Sequence, residues 1–464
     1  MANVGKIKSK KKLKQKVSLT GSLKRINRNA AGIDIGASEH YVAVPEDRDQ
    51  QSVRKFGTFT TDLYELADWL TACGIQTVAM ESTGVYWICL FQILEARGFQ
   101  VKLVDARQTK NVTGRKTDMQ DCQWIQTLHT YGLLSGAFRP ENDICVLRAY
   151  LRHRDNLIRA AATHTNHIHK ALSQMNLKLH NVISDVTGVT GMRIIRAILA
   201  GERDVNKLAE MRDWRIKSST ETIAKSLMGD YRDEHLFSLQ HALELTDFYQ
   251  EKIRQCDDRI LAHLQSFEAK VDLQARPLPA ARHKRRKPQA NEPAHDLRPY
   301  LYLMSGTDLT KIPGIEANTA QILISEIGLN MNKWPSEKHF VSWLGLSPDN
   351  RKTGGKIISR KSRKVVNRAA NILRIAALNL RTSQSALGAF YRRLNSRLDT
   401  PKVITATANK LARLVYRMLK FGEEFVDTGM NVYEEKYRAR VVKSLQSRAA
   451  SLGFDLTPKQ EFVL

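Results

Sequence analysis

AGIDIG at residues 31–36, TVAMESTG at 77–84 and KTDMQD at 116–121 decide how this 464-residue chain is read. In the first stretch Ile33 and Ile35 flank Asp34. Strand alternation turns the acid to the face opposite the isoleucines, and Gly36 admits a close approach of backbone or substrate. In the second, an apolar run closes on Glu81, and the small residues behind it leave room for a phosphate. In the third, Asp118 and Asp121 lie three apart, so a helix beginning there carries both on one face. Four carboxylates converging on one spot cannot all stay ionised without cations, and oxygen-only ligands suit Mg²⁺ or Mn²⁺ rather than zinc. Two such ions are able to clamp the attacking and leaving oxygens of a phosphodiester. The alternative is that each acid separately caps a helix or pairs with a Lys or Arg.

Working outward, HYVAV (40–44) and VRKFGTFT (53–60) read as two further strands of an antiparallel meander. DLYELADWLTACG (62–74) reads as a helix, with Asp62 and Glu65 as N-cap and N3 pair and Gly74 as the stop. TVAME is a buried strand, VYWICLFQILEARG (85–98) a helix, FQVKLVD (99–105) a strand, and a last helix starts near Asp118. The order βββ-α-β-α-β-α over residues 30–140 is that of a ribonuclease H-like α/β fold: a mixed sheet flanked by helices, with acids at strand ends.

Lys and Arg number 73 against 47 Asp and Glu, a net charge of +26. Such an excess in a long chain calls for a polyanionic partner, DNA or RNA, bound with strong salt dependence. Ten of the cations and no acid fall within residues 1–28, so residues 1–29 read as a disordered basic arm. The five cysteines are scattered and form no CxxC pair, which excludes a disulfide framework and a zinc site. No apolar run reaches membrane-spanning length and no signal-peptide core is present, so a cytoplasmic, nucleoid-associated protein is expected.

Residues 141–273 carry two heptad seams. One runs through Leu151, Ile158, Thr165 and Leu172 with Leu147, Ala161, Ile168 and Met175. The other joins Thr246, Ile253, Ile260 and Phe267 with Ala242, Tyr249 and Cys256. Two long helices follow, a coiled-coil middle that pairs either within one chain or across subunits. Residues 274–298, with four prolines and a basic cluster, read as a flexible linker or insertion. Residues 299–425 form a mostly α-helical basic domain, and 426–464 a basic helical tail.

KIPGIEANTAQILISEIG (311–328) has the pattern of a helix-hairpin-helix turning at Pro313 and Gly314, a device that offers backbone N–H groups to a DNA phosphate. An ordinary turn between two helices is the other reading. Further on, nine Lys or Arg and no acid lie between Arg351 and Arg374. In composition this stretch is a phosphate-binding loop: Arg351, Lys352, Lys356, Arg360, Lys361, Arg363 and Lys364 are the candidate phosphate contacts, and Gly354 and Gly355 permit the backbone to approach a ligand. The hydroxyls at Ser347, Thr353, Ser359 and Ser362 are candidates to attack phosphorus.

GIDIG, ESTG, KTDMQD, IPGI, and WLGLSP followed by TGGK stand in the order that resembles the transposases of insertion-sequence family 110, bridge-RNA-guided DNA recombinases, over residues 30–430. The resemblance implies a RuvC-like domain with a DEDD tetrad at Asp34, Glu81, Asp118 and Asp121, a coiled-coil segment and a C-terminal transposase domain with a catalytic serine. It also implies donor and target double-stranded DNA, a structured RNA encoded by the element, and a homo-oligomer, dimer or tetramer, in which one subunit's carboxylates meet another's serine. At the position of that serine this chain has Thr353. The rival readings are a metal-dependent nuclease of Holliday-junction type, which uses water as nucleophile, and an inactive nucleic-acid-binding derivative.

Overall fold

The structure is a computed structural model and describes residues 24–105, 117–282, 291–359, 361–363, 365–422, 425 and 427–457. The chain divides into two compact units, the first ending at Arg139 and the second opening at Pro140.

In the first unit β1 (Ala30–Ile35), β2 (Glu39–Ala43) and β3 (Val53–Gly57) form the meander, followed by α1 (Thr60–Ala72), β4 (Thr77–Glu81), α2 (Trp87–Ala96), β5 (Gln100–Val104) and α3 (Asp118–Thr130). The sheet order is β3-β2-β1-β4-β5. β1 pairs antiparallel with β2 and parallel with β4, and β4 pairs parallel with β5. This five-stranded mixed sheet flanked by helices fits the ribonuclease H-like class.

Alternation explains the two faces. Ile33, Ile35, Val78 and Met80 point into a core closed by Leu63, Leu66 and Leu70 of α1 and Leu90, Phe91 and Leu94 of α2. The intervening residues face α3, where Ala79 and Val104 pack with Ile125, and Ala43 and Val53 with Cys122. One expectation shifts. Helix α1 starts earlier, with Phe59 as N-cap, and Asp62 stands at N3, its carboxylate accepting the Phe59 N–H at 3.1 Å. The strand before it therefore stops at Gly57 rather than running to 60.

The second unit is built on α4 (Asn142–Gln174) and α8 (Asp233–Gln265), each 33 residues long. They run antiparallel within the chain: His263 lies against the Asp143 carbonyl, Cys256 against that of Tyr150, while Leu172 shares a core with Leu239 and Leu243. The heptad positions 147, 161, 168 and 175 skip 154, and there the seam holds Arg154, buried and paired with the buried Asp257 at 2.5 Å. Between the two long helices α5 (Val189–Leu199), α6 (Val205–Glu210) and α7 (Thr220–Ser226) make a small cap whose Ile194, Ile198, Leu208 and Ile223 close over the ends of the pair.

The described parts of the Pro-rich stretch are held in place: Arg298 donates to the Pro279 carbonyl, Lys311 to that of Ala280, and Arg154 to that of Asn291. Its cluster at 283–287 lies outside the described residues, as do residues 1–23 of the basic arm. Then come α9 (Arg298–Ser305), α10 (Ala317–Ile327), α11 (Glu337–Trp343), the strands β6 (Arg351–Thr353) and β7 (Lys356–Ser359), α12 (Arg368–Asn379), α13 (Ala386–Asn395), α14 (Thr400–Phe421) and α15 (Gly429–Ser451). Phe340, Trp334 and Tyr416 pack together where α11 meets α14, and the Tyr416 hydroxyl donates to the Trp334 carbonyl at 2.9 Å. No described helix is long and apolar enough to cross a membrane.

Candidate metal centre and basic hairpin

The first site arises where α3 rests on the sheet. A Cβ on Gly32 would stand 2.2 Å from the backbone nitrogen of Gln126 and 2.4 Å from the Cys122 carbonyl oxygen, so only glycine lets α3 lie directly on β1. Two residues further along the strand, on the same face, comes Asp34, and one to two turns earlier in the helix come Asp118 and Asp121. Their carboxylates each place an oxygen within 4.8 Å of the others. Glu81, at the end of β4, stands outside that three-way cluster but is close enough for its charge to act on Asp34.

Burial first, then repulsion from Glu81, Asp118 and Asp121, pushes the Asp34 carboxyl up to about 6 against the Ile35 backbone hydrogen bond that lowers it. A divalent cation among these oxygens would remove that penalty, and this is the fit of the residues to a metal. Cys122, beside Asp34, is not a competing soft ligand. Burial and the Asp34 charge push its thiol up to about 12, and its Sγ donates to the Met119 carbonyl. The donor set is therefore carboxylate oxygen.

Sequence reasoning passed over Tyr41 and Lys55. Cross-strand pairing places Asp34, Tyr41 and Lys55 in one row over β1, β2 and β3, so the row continues from the acids along the same face. The Tyr41 hydroxyl donates to Glu39 at 2.8 Å and Lys55 pairs with Glu39 at 3.0 Å; the hydrogen bond to Glu39 raises the Tyr41 phenol. The signal was the period-two pattern of HYVAV, which puts Tyr41 and Ala43 on the face of Asp34.

In the second unit the basic stretch after α11 is a β-hairpin rather than a loop. Gly354 and Gly355, at φ +53° and +76°, make its two-residue turn, and Thr353 pairs directly across from Lys356. Lys352, Thr353, Gly354, Gly355 and Lys356 are all exposed. At the root the ladder is extended by a bridge between Pro348 and Ser362 and by the Asp349 N–H donating to the Lys361 carbonyl. Lys361 is exposed, and Arg363 donates to the Ser342 carbonyl at 2.6 Å. Arg360 and Lys364 lie outside the described residues, and Arg351 opens β6.

Of the other hydroxyls, Ser347 lies 3.5 Å from the Asn409 amide and Ser359 accepts the Lys361 N–H. Pro313 is buried, and a Cβ on Gly314 would meet the Ala376 carbonyl oxygen at 2.7 Å, so this turn packs on α12. A Gly-Gly pair between Lys-Thr and Lys-Ile-Ile was the legible hairpin signal.

A ribonuclease H-like sheet with acids at the ends of its two central strands and at a helix start defines the class: enzymes that process nucleic acid. Within that class two family models match the chain, a DEDD transposase model of the IS110 group over residues 31–177 and one described as transposase IS116/IS110/IS902 family over residues 306–392. The chain belongs to the IS110 family of transposases, and it is a DNA transposase or recombinase. The matched DEDD domain also points to divalent-metal use. No curated protein sequence matches it significantly.

Proposed function

We propose that the chain is a site-specific recombinase in which Asp34, Glu81, Asp118 and Asp121 hold Mg²⁺ or Mn²⁺ and the Thr353 hydroxyl is the nucleophile. The observation that carries this reading is the meeting of Asp34, Asp118 and Asp121 oxygens within 4.8 Å in a domain matched by a DEDD transposase family. The ions, when bound, would polarise the phosphodiester and stabilise its attacking and leaving oxygens.

The Thr353 Oγ1 gives up its proton and bonds to phosphorus while the P–O3′ bond breaks. The leaving O3′ takes a proton, and the 5′ phosphate stays on Thr353. A 3′-hydroxyl from another strand then attacks that phosphorus, restores the Thr353 hydroxyl and seals the new junction without a nucleotide cofactor. Lys356 neutralises the phosphate that Thr353 attacks, a reading supported by its register directly across the ladder from Thr353. Its exposed neighbours Lys352 and Lys361, with Arg351, Arg360, Arg363 and Lys364, bind the flanking phosphates, and the turn at Pro313 and Gly314 contributes a helix-hairpin-helix contact to the backbone.

The long helical pair serves as a coiled-coil element in a homo-oligomer, dimer or tetramer. An element-encoded RNA supplies sequence choice, for which the net charge of +26 provides the electrostatics.

The deciding experiment is denaturing electrophoresis of the protein with labelled DNA from the ends of its element, in Mg²⁺. A denaturation-resistant adduct is expected for the natural chain and for Thr353→Ser, and none for Thr353→Ala or Asp118→Asn. Cleavage that continues undiminished in Thr353→Ala would overturn the assignment: with an adduct still formed, another hydroxyl such as Ser347 or Ser359 is the nucleophile, and with none, water is.

A further inference from the structure

The hairpin carries one feature that phosphate binding does not use. Its register slips between Arg351 and Lys352: Arg351 pairs with Ser359 and Lys352 with Ile357, which leaves Ile358 as an extra, unpaired residue on β7. Such a bulge re-aims a side chain and is common beside active sites. Ile358 is 69% exposed and its neighbour Ile357 40% exposed. Two adjacent β-branched apolar side chains thus stand in water on a ribbon otherwise made of Arg, Lys, Thr, Gly and Ser. Among the described residues the ribbon is a two-stranded sheet tied to the domain at its root, so both of its faces beyond the root are open to a partner.

Charge identifies that partner. No acid occurs between Asp349 and Asp399, a stretch that includes the hairpin and the whole of α12. An apolar protein surface would leave these cations unpaired, whereas a phosphate backbone neutralises them. A two-stranded ribbon fits either groove of a B-form duplex, and apolar wedges between base steps enter from the minor groove, whereas double-stranded RNA is recognised mostly by shape and by 2′-hydroxyl and phosphate contacts. Isoleucine is among the residues that enter between base steps and kink the duplex.

We propose that the hairpin lies in a groove of the DNA duplex and that Ile358, backed by Ile357, wedges between two base pairs beside the cut. The unstacked step bends the duplex and brings its phosphate out towards the hairpin. The inference rests on the reading of this hairpin as the DNA-contacting element given under Proposed function.

The test uses the full-length Asp118→Asn chain, so that binding is read without turnover, and duplexes spanning the end of its own element with 2-aminopurine placed at each adenine in turn. Binding should raise the fluorescence several-fold at one step. Ile358→Ala should return that signal to the level of free duplex, and Ile358→Leu should restore it, with thermal stability and the salt dependence of binding unchanged because neither core nor phosphate contacts are touched. An equal rise with Ile358→Ala, no responsive step, or a rise with an RNA duplex of the same sequence and none with DNA each overturns the wedge.

The two readings separate cleanly. If Thr353 is not the nucleophile, Thr353→Ala still cuts while the Ile358-dependent fluorescence persists. If the wedge is wrong, Ile358→Ala forms the Thr353 adduct at the full rate.

Discussion

Charge is handled in opposite ways in the two units. In the N-terminal unit Asp34 is partly buried and crowded by Glu81, Asp118 and Asp121, and burial first, then their charges, push its carboxyl up to about 6. In the C-terminal unit the buried Arg154 lies in the seam of the long helices with its Nε 2.5 Å from Asp257, and the carbonyl of Asn291 takes two further donors. The pair is compensated and therefore architectural. The acids are penalised by one another in the folded chain, which is the mark of a site built for a ligand rather than for stability.

The largest expected effect breaks the first half of this comparison. Asp118→Asn should lower the single-turnover rate of strand cleavage in Mg²⁺ by roughly 10³-fold or more, because the carboxylates act as a unit on the metal. Asp34→Asn should do the same and also raise the thermal midpoint of the metal-free protein at neutral pH, since it removes a carboxylate that its surroundings disfavour as an anion. Added Mg²⁺ should raise the midpoint of the natural chain and leave that of Asp34→Asn where it was. A metal-free midpoint that falls in Asp34→Asn would mean the acid is a structural partner.

The other half is tested at Asp257. Asp257→Ala leaves the Arg154 guanidinium buried without its carboxylate and should cost about 3–5 kcal/mol in urea unfolding of the C-terminal unit. Replacing both, Arg154→Leu with Asp257→Leu, should recover most of that loss, because removing a buried pair together avoids an orphaned charge. If the double variant is as unstable as the single one, the hydrogen bond from Arg154 to Asn291 rather than the pair holds the seam.

How far the sequence reached follows the same division. Period-two alternation put Asp34 on the face opposite Ile33 and Ile35, and the β-order was legible because Ile, Val and Ala runs are bounded by Gly and polar turns. What alternation cannot show is depth. Gly32 reads as an ordinary small residue, yet it is the contact that lowers α3 onto β1 and brings Asp118 and Asp121 to Asp34. The skipped position of the heptad seam was a polar residue, and its Asp257 partner lies 103 positions away, beyond any local pattern. The helix starts at Thr60 behind the N-cap Phe59, rather than behind Asp62, for a local reason: an Asp caps equally well from the N-cap, accepting the N3 N–H, or from N3, accepting the N-cap N–H. The hairpin reads as a loop because its basic composition masks the Gly-Gly turn between Thr353 and Lys356.

A smaller effect separates two titrations in one pH window. Asp34 has its folded value raised to about 6 above the usual 3.8, so the folded chain keeps a proton that the unfolded chain has lost, and stability contributed by this group falls as pH rises between the two. His129 is the reverse. Burial first, and then the Lys102 charge, push it down to about 4 from 6.5, so the unfolded chain binds the proton first and stability falls as pH drops through that interval. Its Nε2 sits 2.9 Å from the Thr77 hydroxyl, inside the same sheet unit. Urea midpoints of the natural chain in EDTA should therefore vary little between pH 4 and 6, where the two slopes oppose. Asp34→Asn should uncover a midpoint that rises with pH, and a flat profile in that variant would remove His129 from the account.

The smallest effect concerns the turn of the hairpin. Gly355 has φ +76° with open space around the position where a Cβ would be, so Gly355→Ala meets no neighbour and is opposed by backbone strain alone, about 1 kcal/mol. The hairpin residues from Lys352 to Ile358 are exposed and belong to no core, so this strain should leave the thermal midpoint of the unit unchanged. It acts on the hairpin itself, whose ladder between Thr353 and Lys356 closes across that turn. A cost of ~1 kcal/mol should lower the rate of adduct formation about five-fold. Gly354→Asn should lose less, because asparagine tolerates the left-handed backbone of such turns better than alanine does. An adduct rate indifferent to both substitutions would show that the nucleophile does not depend on the closed hairpin, and would move the search from Thr353 to Ser347, which sits at its root beside Asn409.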